Sequence, residues 1–402
     1  MNSWLIKNAQ VVTPEGTLYD ASVWIEDGKI RQIGSIPEHA ARSGEVLDVA
    51  GAIVMPGIID MHTDAMDAEI VPRPGADIPI PVAFRELERK MCACGITTVY
   101  HSLHLGYVNA ESHSRSKYSR GEVFREVSRA AAGPTLIHNK IHLRFELTGI
   151  AAYEECLDLI REGYVDLLSV MDHTPGQGQD KAGMFKTELK ARGKSEAELH
   201  QLFQEWMSRP KIDSDSLQAM VDFARKKGIP VASHDDDSIA KVDEMVALGV
   251  TISEFPINME TARYATRMGL YVAGGASNVL RGGSLSGNLD MTTAIREGAV
   301  GMLCSDYYPA SILHSVFRLH AGHAGAAGHE GMAGMPLHEA VNLATLHPAQ
   351  SVGIDDETGS LEAGKQADLL VVRLQDGIPM ITHTMVGGKF VLQTAMKSTG
   401  RL

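Results

Sequence analysis

Short apolar segments alternate with amphipathic segments through the middle of this 402-residue chain. The apolar segments are rich in branched side chains, which is typical of strands that are buried on both faces. The segments between them repeat apolar residues every three or four positions and therefore favour helices. The pattern predicts strands at 53–62, 97–101, 137–146, 165–173, 230–234, 250–255, 270–275 and 301–306, with helices between most of them, among them 123–132, 151–162, 217–227 and 239–248.

Eight strands that alternate with helices predict an α/β fold of the (β/α)8 TIM-like barrel type. An open, doubly wound sheet is the alternative arrangement of the same elements. It is disfavoured because no glycine-rich dinucleotide-binding motif follows the first strand of this region.

Both ends of the chain differ from the middle, because they consist of short apolar runs joined by tight turns. Asp27-Gly28 and Gly387-Gly388 each separate two such runs, and these dipeptides favour two-residue hairpins. We therefore predict a small β-sandwich domain formed by residues 1–52 and 353–402, with the barrel, residues 53–352, inserted between its two parts. A polar segment near 178–210 interrupts the alternation and is predicted to be a helical insertion over the barrel mouth.

Composition limits the classes of function. Hydrophobic residues make up 44% of the chain and charged residues 22%, as in ordinary globular enzymes. A formal net charge of -13 argues against nucleic acid as the main partner, and no apolar run is long enough to cross a membrane. The four cysteines show no paired spacing, and the N-terminus lacks the pattern of a signal peptide, so we expect a cytoplasmic protein.

Side chains that can bind a metal ion follow the predicted strands at one end of the barrel, where barrels of this type place their functional groups. Each residue alone could be a helix-capping aspartate or a backbone-bonded histidine. However, polar side chains of this kind stand at the carboxyl ends of six of the eight strands. The predicted ligands are His62, Asp64, Glu146, His173, His234 and Asp306, while the role of Glu254 on the sixth strand stays open.

Imidazole and carboxylate ligands without cysteine suit Zn²⁺, and also Mn²⁺ or Fe²⁺. Six ligands exceed the needs of one tetrahedral ion, so two ions that share a bridging carboxylate and a hydroxide fit the set better. Asp306, after the last strand, would accept the proton of the nucleophile. We therefore predict a centre of one or two divalent ions, with zinc as the first choice.

Two motifs resemble those of the amidohydrolase superfamily: Met55-Pro56-Gly57-Ile58-Ile59-Asp60-Met61-His62 and Gly359-Ser360-Leu361-Glu362-Ala363-Gly364-Lys365-Gln366-Ala367-Asp368-Leu369. Six motifs, in order along the chain, are similar to those of the PhnM-type diphosphatases of the carbon–phosphorus lyase pathway, at residues 62–64, 142–146, 171–177, 232–236, 281–288 and 305–310. His62-Thr63-Asp64 stands where the superfamily usually has His-x-His. This departure agrees with the diphosphatases and leaves the occupancy of a second metal site open.

The resemblance implies a reaction and a set of substrate contacts. The diphosphatases hydrolyse α-D-ribose 1-methylphosphonate 5-triphosphate to the 5-phosphate and pyrophosphate, and we expect attack of a metal-bound hydroxide on the α-phosphorus. Taken alone, the glycine-rich segment 281–288 could equally be a phosphate site or an ordinary loop between the seventh strand and a helix. With the resemblance, we expect the anionic triphosphate to contact Arg144, Arg281, Gly282, Ser284, Ser286 and Asn288.

Two other functions stay open. One is a different amidohydrolase reaction, deamination or cleavage of a cyclic amide, which the phosphate-suited loop with Arg281 disfavours. The other is a metal-free scaffold protein on the same fold, which the presence of His62, His173, His234 and Asp306 disfavours. Barrels of this kind often form homodimers, although the sequence fixes no interface.

Overall fold

The computed structural model describes residues 3–37, 44–73, 75–106, 117–174, 195–283, 289–322 and 333–394. Their strands form two eight-stranded sheets. One sheet is mainly antiparallel and combines strands from both ends of the chain, whereas the other is parallel and follows the middle. The predicted fold class, a (β/α)8 barrel with a small β domain built from both termini, is confirmed.

The small sheet has the strands β1 Ser3–Thr13, β2 Gly16–Glu26, β3 Lys29–Gly34, β4 Glu45–Asp48, β5 Ile53–Pro56, β14 Leu369–Gln375, β15 Ile378–Val386 and β16 Lys389–Gln393. They pair in the order β16–β15–β14–β5–β1–β2–β3, with β4 beside β1. Asp27, Gly28, Gly387 and Gly388 all have positive φ, as two-residue hairpin turns of the primed type require. Both predicted turns are therefore confirmed.

The prediction of a single strand at 53–62 is wrong, because the segment divides at Gly57. β5 pairs with β1 and β14 in the small sheet, whereas β6, Ile58–Thr63, begins the barrel. Pro56 has no N–H to continue a ladder. At Gly57 a Cβ atom would lie 2.1 Å from Thr97 Oγ1, so the chain passes Thr97 only because this residue has no side chain. The chain leaves the small sheet at Pro56-Gly57.

The barrel contains β6, β7 Ile96–Leu105, β8 His138–Glu146, β9 Leu167–Met171, β10 Val231–His234, β11 Ile252–Glu254, β12 Tyr271–Gly275 and β13 Met302–Cys304, each beside the next. The circle closes just beyond β13. There the Asp306 N–H donates to His62 O at 3.0 Å, and the Asp64 N–H donates to Asp306 O at 2.7 Å. Closure of the barrel therefore places three predicted ligands side by side.

Helices lie between consecutive barrel strands and after the last one: α1 Ala65–Ile70, α2 Ile80–Ala93, α3 Arg120–Ala131, α4 Tyr153–Arg161, α5 Glu196–Met207, α6 Ser214–Lys226, α7 Ile239–Leu248, α8 Met259–Arg267, α9 Ala276–Arg281, α10 Met291–Arg296, α11 Ser311–Ala321, α12 Leu337–Asn342 and α13 Leu346–Ser351, with a 3-10 turn at Ile150–Ala152. Ser119 and Glu122 form a capping box that begins α3, and Ser195 and Glu198 form another that begins α5. Of the predicted insertion near 178–210, the part before residue 195 lies outside the described residues, and the part after it contains α5.

Apolar side chains of the barrel strands pack in two separate clusters. Met61 and Tyr100 belong to a buried cluster formed almost entirely by strand residues, whereas Val99 packs with Phe84 of α2 and Val127 of α3. The interior is therefore a packed core, and the polar side chains at the strand ends lie above it. No helix in the described part of the chain combines the length and the apolar character needed to cross a bilayer.

His138, at the start of β8, joins the barrel to the small sheet through Asp368. His138 Nε2 lies 3.2 Å from Asp368 Oδ2, and the same carboxylate accepts hydrogen bonds from Thr358 Oγ1 and the Gly387 N–H. The hydrogen bond to Asp368 raises the pKa of His138 above 6.5. Because the folded-state pKa is the higher one, the pair stabilises the fold fully below about pH 6.5. The contribution is lost as the pH rises through the folded-state pKa.

We expect His138→Gln to lower the free energy of unfolding by about 0.5 kcal/mol at pH near 6, and by less at pH near 9. The value is small because the His138 side chain is 37% exposed and solvent screens the pair. Urea unfolding of both proteins at the two pH values measures the difference. A difference that does not change with pH would contradict the role given to this pair.

Candidate metal centre

The predicted ligands lie at one end of the barrel. Most of them belong to sets of three residues that could each hold a metal ion. Within each set, ligand atoms lie within 4.8 Å of one another. The sets are His62, Asp64 and Asp306; His173, His234 and Asp235; and His62, His234 and Glu254. Every predicted ligand except Glu146 belongs to at least one set, and the shared residues His62 and His234 place the three sets next to one another.

His62 is fully buried, and neither ring nitrogen has a hydrogen-bond partner among the described residues. Its Nδ1 lies 3.2 Å from Glu254 Oε1, another buried atom that the described residues leave without a hydrogen bond. Burial lowers the pKa of His62 well below 6.5, so the imidazole is neutral. Buried polar atoms are nearly always paired in native proteins. A neutral imidazole beside an unbonded carboxylate oxygen therefore fits a divalent metal ion.

Arg144, on β8, lies between the sets and is only 4% exposed. Its NH1 donates to Asp64 Oδ1 at 2.7 Å and to His104 Nε2 at 2.9 Å, and its NH2 donates to His234 Nε2 at 3.3 Å. Because a guanidinium has no acceptor, His234 Nε2 must accept and the ring proton is on Nδ1. That Nδ1 lies 3.5 Å from Glu254 Oε2. Burial, reinforced by the charge of Arg144, lowers the pKa of His234 well below 6.5.

Glu146 ends β8 and binds His173 rather than joining a set. Its Oε2 accepts from His173 Nδ1 at 2.7 Å, and its Oε1 accepts from the His173 N–H at 3.2 Å. This pairing fixes the ring and leaves His173 Nε2 as the nitrogen that can bind a metal. Carboxylates commonly orient metal-binding histidines in this way. The ligand role of Glu146 itself stays a prediction.

Three residues that follow barrel strands have left-handed backbone. Asp235, Phe255 and Asp306 have φ of 53°, 56° and 62°, although none of them is glycine. Each such residue costs roughly 1–3 kcal/mol, and strain of this kind collects at functional sites. At Asp306, burial and then the charge of Asp64 raise the pKa to about 7. A carboxylate with this pKa is suited to accept a proton near neutral pH.

The structure places the predicted glycine-rich substrate segment differently from the sequence. Arg281 is exposed at the end of α9, and Gly282 caps that helix with a φ of 79°. The segment comes after the seventh barrel strand and before the helix α10, as predicted, but the short helix α9 separates it from the strand. Ser284, Ser286 and Asn288 lie outside the described residues. The phosphate contacts of this segment therefore stay predictions.

Sequence patterns did not mark all of the residues at the centre. Asp235 directly follows His234 in a run of three aspartates, and nothing in that run distinguishes a ligand from a helix cap. His104 lies beyond the predicted strand end at residue 101, because β7 continues to Leu105. The position of Glu254 at the end of the sixth strand indicates a possible ligand. Its contact with His62, however, forms only when the barrel packs.

Comparisons with known proteins concern the family and the fold of the chain. A family model described as "Amidohydrolase family" matches residues 205–391. An α-D-ribose 1-methylphosphonate 5-triphosphate diphosphatase of Escherichia coli strain K12 is 32% identical, over 96% of this chain and 100% of that protein. A 5'-deoxyadenosine deaminase of Methanosarcina acetivorans is 25% identical, over 92% of this chain and 84% of that protein. A crystal structure of an amidohydrolase has a TM-score of 0.66 at 19% identity, over 98% of this chain and 100% of that chain, which supports the fold.

Proposed function

This chain belongs to the amidohydrolase family and is a hydrolase, and we propose that it cleaves α-D-ribose 1-methylphosphonate 5-triphosphate to the 5-phosphate and pyrophosphate. The observation that carries the proposal is the 32% identity with a diphosphatase over that protein's whole length. The pair His62 and Asp64, where the wider superfamily usually has two histidines, supports the same branch. The reaction would be a step of phosphonate degradation.

The residues at the barrel mouth fit a divalent ion. His62, Asp64 and Asp306 would hold it as one set, and His173, His234 and Asp235 form the second candidate set. Nitrogen and oxygen donors without thiolate suit zinc, which we propose first, and manganese or iron as alternatives. When bound, such an ion supplies Lewis acidity and lowers the pKa of water from its bulk value towards about 7.

Protein side chains supply the rest of the proposed mechanism. Asp306 accepts the proton of the attacking water at a carboxylate oxygen, and its raised pKa keeps that step close to neutral pH. Arg144 places a permanent positive charge beside Asp64. This charge would stabilise the negative charge that develops on the phosphoryl oxygens of the substrate. Attack at the α-phosphorus then releases pyrophosphate. Arg281 and Gly282 are proposed to contact the outer phosphates.

We also propose a cellular compartment and a partner for the protein. Cys92, Cys94, Cys156 and Cys304 are free thiols, which fits a reducing compartment, so we propose the cytoplasm. The proposed partner is a small anionic substrate and not a nucleic acid or a membrane. A homodimer stays a prediction.

A substrate panel tests the proposal. We expect kcat/KM for the ribose methylphosphonate triphosphate to exceed that for 5'-deoxyadenosine or a cyclic amide by at least about 100-fold, because the buried polar groups would be left unpaired by a neutral substrate. Release of pyrophosphate and of ammonia is followed in parallel on the same zinc-loaded preparation. Faster deamination or ring opening would replace the proposal by one of the alternative amidohydrolase reactions. Protein that retains no metal ion and turns over none of these substrates would favour the metal-free scaffold.

A further inference from the structure

We propose that Arg144 takes the place of a second metal ion, so that the centre holds one divalent ion at His62, Asp64 and Asp306. The number of ions does not follow from the ligand types, since the sets at the barrel mouth could hold one ion or two. The inference rests on the proposed function only for the phosphoryl group that Arg144 would face.

Arg144 is built into the centre rather than attached to its edge. It is buried on β8, and its NH1 and NH2 reach two predicted metal ligands, Asp64 and His234. Its Nε donates to Met171 Sδ at 3.1 Å, which adds a further contact to the guanidinium. A buried cation separated from its carboxylate partner is strongly unfavourable. A second ion bound through His234 would therefore have to displace a group that is held by several contacts.

His234 decides which candidate set is blocked. Its Nε2 accepts from Arg144 NH2, and its Nδ1 faces Glu254 Oε2. An imidazole has only these two nitrogens, and Nε2 is also the one that lies 3.8 Å from Asp235 Oδ1. An ion between His173, His234 and Asp235 would compete with Arg144 for the single lone pair of Nε2.

Asp64 is not blocked in the same way. A carboxylate offers two oxygens and about four acceptor positions, so it can accept from Arg144 and bind an ion at the same time. The ring nitrogens of His62 have no hydrogen bond within the described part of the chain, and Asp306 is fixed beside both residues by the main-chain bonds that close the barrel. The set of His62, Asp64 and Asp306 is therefore the one that coexists with Arg144.

The guanidinium would also neutralise negative charge on the substrate, as a second ion does in two-metal centres. Four of its five N–H donors bind Asp64, His104, His234 and Met171. One N–H of NH2 remains without a partner among the described residues, and guanidinium groups pair well with phosphate oxygens. A single ion and this donor would together neutralise the transferred phosphoryl group.

Zinc counting tests the proposal. The wild-type chain is stripped with a chelator, reloaded with excess ZnCl₂, freed of unbound ion by gel filtration and analysed by inductively coupled plasma mass spectrometry. We expect one zinc per wild-type chain. Arg144→Gln should bind two, because the neutral side chain releases His234 Nε2, whereas Arg144→Lys should stay at one because it keeps the charge.

Two further variants control the result. Arg120→Gln removes another partly buried arginine, one that pairs with Asp67 through both NH groups, and should leave one zinc. His234→Gln should also keep one zinc, because His234 is not a ligand of the single ion. This second variant keeps the test decisive if Arg144→Gln does not fold.

Two zinc ions per wild-type chain, one zinc in folded Arg144→Gln, or loss of zinc from His234→Gln would each overturn the proposal. No substrate takes part in these measurements. A failed zinc count therefore leaves the proposed hydrolysis standing, and a failed substrate assay leaves the zinc count standing.

Discussion

Asp306→Asn lowers kcat for triphosphate hydrolysis by about 10³-fold, within the roughly 10²–10⁴-fold that a positioned general base contributes. An amide cannot take up the proton that the carboxylate accepts, and it is a weaker metal ligand. The carboxylate is also adapted to the task, because burial and the neighbouring Asp64 raise its pKa to about 7. The measurement is steady-state release of pyrophosphate, with zinc content determined on the same sample.

The fold survives this substitution for a local reason. Residue 306 has a φ of 62°, a conformation that asparagine and aspartate adopt more readily than most residues. The bonds that close the barrel use its main-chain N–H and carbonyl groups, which the substitution leaves unchanged. Asp213→Asn is the matched control, because asparagine can replace the aspartate that caps α6. A kcat of Asp306→Asn within about tenfold of the wild type would contradict the role of Asp306.

Complete removal of metal lowers turnover by about 10³-fold or more, since Lewis-acid stabilisation by a bound ion supplies several kcal/mol of the barrier reduction. It also lowers the melting temperature, because a ligand that binds only the folded chain stabilises it by mass action. The nitrogens of His62 and the Oε1 of Glu254, which have no hydrogen bond to any described residue, are the structural reason to expect both effects. Turnover and thermal unfolding are compared before chelation, after it and after addition of zinc or manganese.

A chelator that has been saturated with zinc before use is the control for direct effects of the chelator on the protein, because it has no capacity left to extract the ion. It should leave both turnover and melting temperature unchanged. Full turnover by protein that contains less than about 0.05 metal ions per chain, a level far below one ion per site, would show that the reaction does not require a metal ion.

Much of the barrel could be predicted from the sequence, because buried parallel strands leave a strong local signal. The strands from β7 to β13 agree with predicted ones to within a few residues, and the two hairpin turns carry the residues that their conformation requires. The assignment of the two halves of 53–62 to different sheets was missed, because the break at Pro56-Gly57 does not by itself show which sheet each apolar run enters. What separates them is a close approach to Thr97, 40 positions further on when counted from Gly57.

The candidate site was predicted in outline and not in its contacts. Strand ends identified His62, Asp64, His234 and Asp306, because a barrel brings the carboxyl ends of its strands together. Arg144 was expected to contact substrate, but its hydrogen bonds to Asp64 and His234 depend on how two distant strands face each other. Sequence spacing along one strand cannot report such a contact.

Phosphorus NMR of the reaction in water enriched in oxygen-18 tests the central claim most directly. The zinc-loaded chain is incubated with α-D-ribose 1-methylphosphonate 5-triphosphate, and the products are identified by their resonances. We predict pyrophosphate without the label and the 5-phosphate with one labelled oxygen, as attack at the α-phosphorus requires. Formation of orthophosphate, label in the pyrophosphate, or an unchanged triphosphate would contradict the account.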